Sequence, residues 1–194
     1  VSGGFFMNSV FNGKISKLTK FKNVFISSCP DDSGLSIGSA LYVYNHILNK
    51  KKRFPQKHNY YGPSFSKNEI KKTLEDYKID YVYSKNNLSK ITAKEISKGK
   101  IIGWFQGKME FGQRALGNRS ILGDPRVLKN RDKINKIIKF RESFRPFAPA
   151  ILKEYKNNFF QIDKNDTANF MEKVFLNKKK MQKKIPAVTH IDGS

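Results

Sequence analysis

Six of the seven arginines in the sequence (Arg114, Arg119, Arg126, Arg131, Arg141 and Arg145) fall within 32 consecutive residues. The stretch begins GWFQGKMEFGQRALGNRSILGDPR, is punctuated by Gly103, Gly107, Gly112 and Gly117, and closes with KFRESFRPFAPA. Glycines at this spacing disfavour a helix interior and let backbone N–H groups approach a ligand closely. Lys108 and Ser120 stand among them, and Pro146 prevents a long helix from continuing past Arg141 and Arg145. A guanidinium fork is the side chain suited to gripping phosphate or carboxylate oxygens in pairs. Four acids in the stretch, Glu110, Asp124, Asp132 and Glu142, offer ion-pair partners to six arginines, which leaves cations over. The residues alone admit three readings: a small phosphate-bearing ligand, a nucleic acid backbone with stacked aromatics such as Trp104 and Phe111, and structural pairing.

Other chemistries find less support. No Ser/His/Asp or Cys/His arrangement and no zinc-ligand spacing is present. His46, His58 and His190 are far apart, and only His190, beside Asp192 and Gly193 in a polar turn, is a histidine candidate for a site. Asp31 and Asp32 before Gly34 suit either a cation or the cap of the following helix. The single cysteine, Cys29, cannot form an internal disulfide, as expected of a protein in the reducing cytoplasm. No apolar run approaches the ~18 residues of a membrane span, so no membrane partner is expected.

The 194 residues carry 38 Lys and Arg against 16 Asp and Glu, a net charge of +22. Seven of the 38 cations are arginine and 31 are lysine, and the lysines are scattered along the whole chain. Lysine rises together with Asn, Ile, Phe and Tyr, a bias that tolerant surface positions absorb, so the charge itself predicts a solvated surface and not a nucleic acid partner. At 38% hydrophobic and 13% aromatic, the composition excludes a disordered chain.

The elements that must position these residues alternate between strand and helix, which predicts a mixed α/β fold. Val24–Ser28 alternates as a short strand, and Ile37, Ala40, Leu41, Tyr44 and Leu48 form a helical stripe. Lys50-Lys51-Lys52-Arg53, Pro55 and Gly62-Pro63 mark a linker over 53–63, between a first unit over 1–52 and a second over 64–194. Ser66 with Glu69, and Thr92 with Glu95, read as capping boxes that open two helices, the second stopped by Gly99. Strands are predicted at Tyr81–Tyr83, Ile101–Phe105 (buried) and Ala148–Leu152, and a helix over 130–139. The chain opens at Val1 and breaks off after a polar Thr189–Gly193 segment, as a piece of a longer protein does.

GWFQGKMEFGQRALGNRSILGDPR followed by KFRESFRPFAP closely resembles the signature of the nodulation-type carbamoyltransferases, which act on nodulation factors, tobramycin and cephamycins. SGGFFMNSVFNGK, CPDDSGLSIGSAL and PAVTHIDGS resemble further family segments, so nearly the whole chain is covered. Gln113 stands where the family usually has proline, a departure expected to loosen the loop while removing no charged group. The resemblance implies the tail of an actin/sugar-kinase-like (ASKHA) domain followed by a YrdC-like twisted-sheet domain. It implies an enzyme that uses carbamoyl phosphate, ATP and Mg2+ to form carbamoyl-adenylate and then carbamoylates a hydroxyl. Residues carried over as catalytic are Arg114, Arg119 and Arg145. Lys108, Glu110, Ser120, Arg141, Gly3, Gly4, Asn8 and His190 are carried over as substrate- or nucleotide-binding. Asp32 aligns with a ligand of the family's divalent metal, iron, whose two histidines and further aspartate have no counterpart here. The expected partners are these small molecules and, as in many family members, a second copy in a homodimer. The shared ancestry with tRNA-modifying enzymes keeps an RNA-binding alternative open.

Overall fold

The computed structural model describes residues 1–163 and 166–194. The fold is mixed α/β, with short helices around one small antiparallel sheet. The first block holds two single-turn helices, α1 (Ser9–Asn12) and α2 (Ile15–Leu18), then α3 (Leu35–Tyr42), which runs on through a π-helical segment, Val43–Ile47. Next come α4 (Lys67–Asp76) and α5 (Leu88–Ser97). The hairpin of β1 (Ile102–Phe105) and β2 (Arg119–Leu122) pairs Ile102 with Leu122 and Phe105 with Arg119. After it come α6 (Leu128–Lys133) with a π-helical continuation, Ile134–Ile138, then the single turns α7 (Lys156–Phe159) and α8 (Lys179–Gln182).

Local signals account for several of these boundaries. Ser66 Oγ accepts the Glu69 N–H at 3.2 Å and Glu69 Oε2 accepts the Ser66 N–H at 2.7 Å, a complete capping box at the start of α4. The second proposed box does not form. α5 begins four residues before Thr92, and Glu95 instead pairs with Lys98 at 2.7 Å and Lys100 at 2.6 Å. Gly99, at φ +84°, ends that helix as expected.

Three predicted strands are also absent. Val24–Ser28, Tyr81–Tyr83 and Ala148–Leu152 are irregular, because no neighbouring strand among the described residues is available to share their hydrogen bonds. Val82 is 95% exposed. β1 does form where expected, but with one strand beside it its residues alternate between half-buried and exposed and are not fully buried.

Burial is sparse and unusually polar. Ile15, Ile26, Ile134, Phe170 and Ile185 are buried, and so are five asparagines among the described residues: Asn12, Asn59, Asn130, Asn135 and Asn177. The accessible surface, 14587 Å², is half again as large as the ~9,400 Å² of a folded monomer of this mass. α3 and its π-helical continuation make the point locally. No charged side chain occurs from Ser33 to Asn49, yet nothing in this helix is buried, and Leu35 and Ile47 are each more than 60% exposed. No helix among the described residues is long and apolar enough to cross a membrane.

The first block is fastened to the chain's last third. Asn12 Nδ2 donates to Glu172 O at 2.9 Å, and the Val174 N–H donates to Ser9 O at 3.1 Å. Gly13 lies so close that a Cβ there would stand 2.5 Å from Val174 O. Gly13→Ala is therefore expected to cost about 1–3 kcal/mol through the forced shift. Urea unfolding should show a lowered midpoint with an unchanged slope; a wild-type midpoint would mean that this contact does not hold the first block.

Candidate functional site

The 13-residue loop between β1 and β2, residues 106–118, carries Lys108, Glu110 and Arg114, and β2 opens with Arg119 and Ser120. Its organiser is Glu110. Oε1 of this buried carboxylate accepts the Leu116 N–H at 2.6 Å and the Asn118 N–H at 2.8 Å. Oε2 makes an ion contact with Arg119 Nε at 3.3 Å, without hydrogen-bond geometry. Burial pushes the Glu110 pKa up, but the N–H donors of Asn118 and Leu116 outweigh it, so the group stays below its ordinary value. Arg119 also donates to Gly112 O, and Ser120 Oγ accepts the Gly117 N–H at 3.0 Å. Arg119 and Ser120 thus brace the loop from within.

The loop rests against the first block. Gly112, at φ +90°, packs on Cys29, where any Cβ would overlap Sγ. Asn59 joins the two sides, accepting from Ser28 Oγ at 2.8 Å and donating to Phe111 O. Gln113 donates to Asp31 and, at 3.2 Å, to Ser33 Oγ. Gln113 therefore ties the loop to the turn before α3 and does not loosen it, through a bond for which the proline expected from the resemblance would have no donor. Arg114 donates to Met7 O at 3.4 Å, which brings it to the segment of Gly3, Gly4 and Asn8. Arg114, Met7, Pro30, Phe170 and Glu172 line a small cavity at this junction.

The four acids of the stretch each take one arginine. The pairs are Arg119–Glu110, Arg126–Asp124 (2.6 Å), Arg131–Asp132 (3.2 Å) and Arg145–Glu142 (3.3 Å). Among the described residues Lys108, Arg114 and Arg141 are left without an acidic partner. Arg141 lies in a separate loop after the π-helical segment; its Nε donates to Asn135 Oδ1 at 2.7 Å and its guanidinium stacks on Phe147, 4.9 Å from the ring centre. Burial, and then the nearby charge of Arg145, lower its pKa, partly offset by Glu142. A cation held where it is partly desolvated and repelled is one that an anion relieves.

Other candidates are committed elsewhere. Asn8 caps α1 by accepting the Phe11 N–H at 3.0 Å, and Gly3, at φ +103°, donates its N–H to Pro30 O at 2.6 Å. Gly4 begins a single 3-10 turn. His190 Nδ1 lies 3.3 Å from Asp192 Oδ1, and Asp192 also accepts from Ser194 Oγ at 2.7 Å, which closes the chain's last turn on itself. No bond links that turn to the hairpin loop among the described residues. Asp32 is exposed, and no group of three or more His, Cys, Asp or Glu side chains gathers around it or elsewhere among the described residues. These residues do not amount to a metal site.

Sequence reasoning passed over Asn59, Asn135 and, as a contact, Gln113. The available signals were an asparagine directly after Ile134 in the helical segment 134–138 and, from the family resemblance, a side chain that can donate where proline is usual.

Residues 1–41 match the family model described as carbamoyltransferase N-terminus, and residues 93–194 the one described as carbamoyltransferase C-terminus. The chain is 36% identical to nodulation protein NolO of Bradyrhizobium diazoefficiens, over all of its own length and 36% of that protein. It is 36% identical to nodulation protein NolNO of Sinorhizobium fredii, over 29% of that protein. It is 28% identical to the 3'-hydroxymethylcephem-O-carbamoyltransferase of Streptomyces clavuligerus, over 35% of that protein. The chain spans about a third of the length of the curated relatives it matches.

The depressed Glu110 pKa carries a sign for stability. The pairing is fully present above the unfolded carboxyl's pKa of about 4.3 and is lost as pH falls through the lower folded value. Glu110→Gln is expected to destabilise the chain by about 2 kcal/mol at pH 7. The gap to wild type should narrow at pH 3, read by urea unfolding at both pH values. An equal gap at both would mean that the charge does not hold the loop.

Proposed function

The chain belongs to the carbamoyltransferase family, and from that premise we propose that it is the oxyanion-handling part of an ATP-dependent O-carbamoyltransferase. The carrying observation is that four arginines pair with the four acids while Arg114 and Arg141 keep no acidic partner among the described residues. In a chain where lysine supplies charge everywhere, two forked cations without counter-ions favour a phosphate-bearing ligand over structural pairing.

The reaction has two stages. Hydrolysis of carbamoyl phosphate, in which one water is consumed as the bond between the carbamoyl and phosphoryl groups breaks, gives carbamate and inorganic phosphate. A carbamate oxygen then attacks the α-phosphorus of ATP, forming carbamoyl-adenylate and releasing pyrophosphate. An acceptor hydroxyl then attacks the carbamoyl carbon, losing its proton and displacing AMP. Both stages gather phosphate charge in one place, and this chain's part is to hold it. In this reading Arg114 and Arg141 bind phosphoryl oxygens, with Lys108 as an exposed cation at the loop's edge. Arg119 and Glu110 keep the loop in shape, and Arg145 adds positive field beside Arg141. Mg2+ would accompany ATP. The 3'-hydroxymethylcephem-O-carbamoyltransferase among the relatives supports a natural-product or glycan hydroxyl as the acceptor.

Trp104, the sole tryptophan, lies one residue before the end of β1, close to this loop, and is paired with Ser120. Its fluorescence should change saturably on titration with carbamoyl phosphate at ~0.15 M salt, where exposed charges are screened beyond about 8 Å. Arg114→Ala and Arg141→Ala are each expected to weaken binding about tenfold or more, while Arg126→Ala, whose partner lies outside the loop, leaves it unchanged. A folded chain with no saturable response, or equal losses in all three variants, overturns the reading.

A further inference from the structure

The loop that carries Arg141 and Arg145 hangs from a single side chain. Asn135 has no exposed surface at all. Its Nδ2 donates to Ser143 O at 3.2 Å and to Arg145 O at 2.9 Å, and its Oδ1 accepts Arg141 Nε at 2.7 Å. Its backbone carbonyl accepts the Arg141 N–H at 3.0 Å. Both amide protons and the amide oxygen are therefore spent on one five-residue loop, and one of the bonds is to the guanidinium itself.

The backbone around it departs from regular geometry at the same place. The helix entering the loop has turned π-helical, closing with the Lys139 N–H on Ile134 O at 2.9 Å. Phe140 then takes φ +47°, which a bulky residue adopts at a cost, and leaves its ring 84% exposed. Packing of Phe140 does not repay that cost. What the turn achieves is to bring Arg141 back over Asn135 and against the face of Phe147. With Nε engaged by Asn135 and one face on the ring, the two terminal NH2 groups of Arg141 have no acceptor among the described residues.

We propose that Asn135 is a positioning residue: it fixes the plane of the Arg141 guanidinium so that both terminal NH2 groups face one oxyanion of a phosphate-bearing ligand. The proposal rests on reading Arg141 as a ligand-binding cation. Its own content is that Asn135 acts through Arg141 and not through general stability.

The test is a double-mutant cycle on the full chain with inorganic pyrophosphate as the probe, each variant checked for thermal midpoint. Arg141→Ala should weaken pyrophosphate binding about tenfold or more. Asn135→Ala should weaken it nearly as much, and the double variant should be no weaker than Arg141→Ala alone, since residues acting as a unit do not add. The Arg141 Hε–Nε resonance in a nitrogen-15 spectrum, protected in wild type, should be lost in Asn135→Ala. Asn135→Asp provides a second route if the alanine variant does not fold. It keeps an acceptor for Nε but adds a charge that competes with the ligand, so binding should fall while the resonance remains. Wild-type affinity in Arg141→Ala would sink the reading of Arg141 itself. A loss in Arg141→Ala with additive losses in the double variant, wild-type binding by a folded Asn135→Ala, or loss of the protected Arg141 resonance in a folded Asn135→Asp would overturn the positioning role alone.

Discussion

A carboxylate with no access to water must find its hydrogen bonds in the protein, and in this chain Glu110 finds them across its own loop. By accepting two N–H groups from residues six and eight positions onward, and drawing in Arg119, it folds a 13-residue connection into a closed turn. A connection of that length between two four-residue strands has no intrinsic reason to keep one shape. Once closed, it offers Gly112 to Cys29, Phe111 O to Asn59 and Gln113 to Asp31, and the first block docks on those three points. The two-stranded hairpin is the frame, but Glu110 decides what hangs from it.

The same logic recurs with amides in place of a carboxylate. Isolated hairpins and single-turn helices are marginal in water, because they fix many dihedrals for few contacts. Here much of the fixing comes from buried asparagines that bond to the backbone of loops: Asn12 to Phe6 and Glu172, Asn59 to Phe111, Asn130 to Asp124 and Asn135 to Ser143 and Arg145. An amide carries donors and an acceptor without charge, so it satisfies irregular backbone at less desolvation cost than an ion. A fold rich in irregular segments is held at points in this way, and much of its apolar surface stays in water.

This division explains what the sequence made legible. Signals confined to a few neighbouring residues were readable: the Ser66–Glu69 box, the Gly99 stop, the β1 segment and the periodic helices expected along Ile37–Leu48 and over 130–139, which form at 35–47 and 128–138. Strands at Val24, Tyr81 and Ala148 were misread because a strand's existence depends on a distant partner, and alternation says nothing about whether one is there. Within the site, the surplus of arginine over acid was visible by counting. Which two arginines go unpaired was not, because Arg119 could equally have faced outward had Glu110 lain on the surface. The contacts of Gln113 and Asn135 were not legible for a related reason: an uncharged amide has no signature until its partners, up to 82 residues away for Gln113, are brought to it.

The arrangement of charge around Arg141 runs against what a fold optimised only for stability would choose. Glu142 neighbours both guanidinium groups, yet it pairs with Arg145, while Arg141 is partly buried, repelled by Arg145 and given only a neutral amide and an aromatic face. Exchanging partners would relieve the repulsion, and lysine at position 141 would let the charge swing into water. Neither remedy is present: arginine is kept, its Nε is bonded, and the turn before it holds a phenylalanine in a left-handed conformation with its ring in solvent. Electrostatic strain that a side-chain rotation could dissipate persists only where something else fixes the group, and Asn135 is what fixes it. In the proposed reading, an anion lying between the two cations would turn this unfavourable local field favourable, and the energy spent in holding the loop would return as affinity and geometry for that anion.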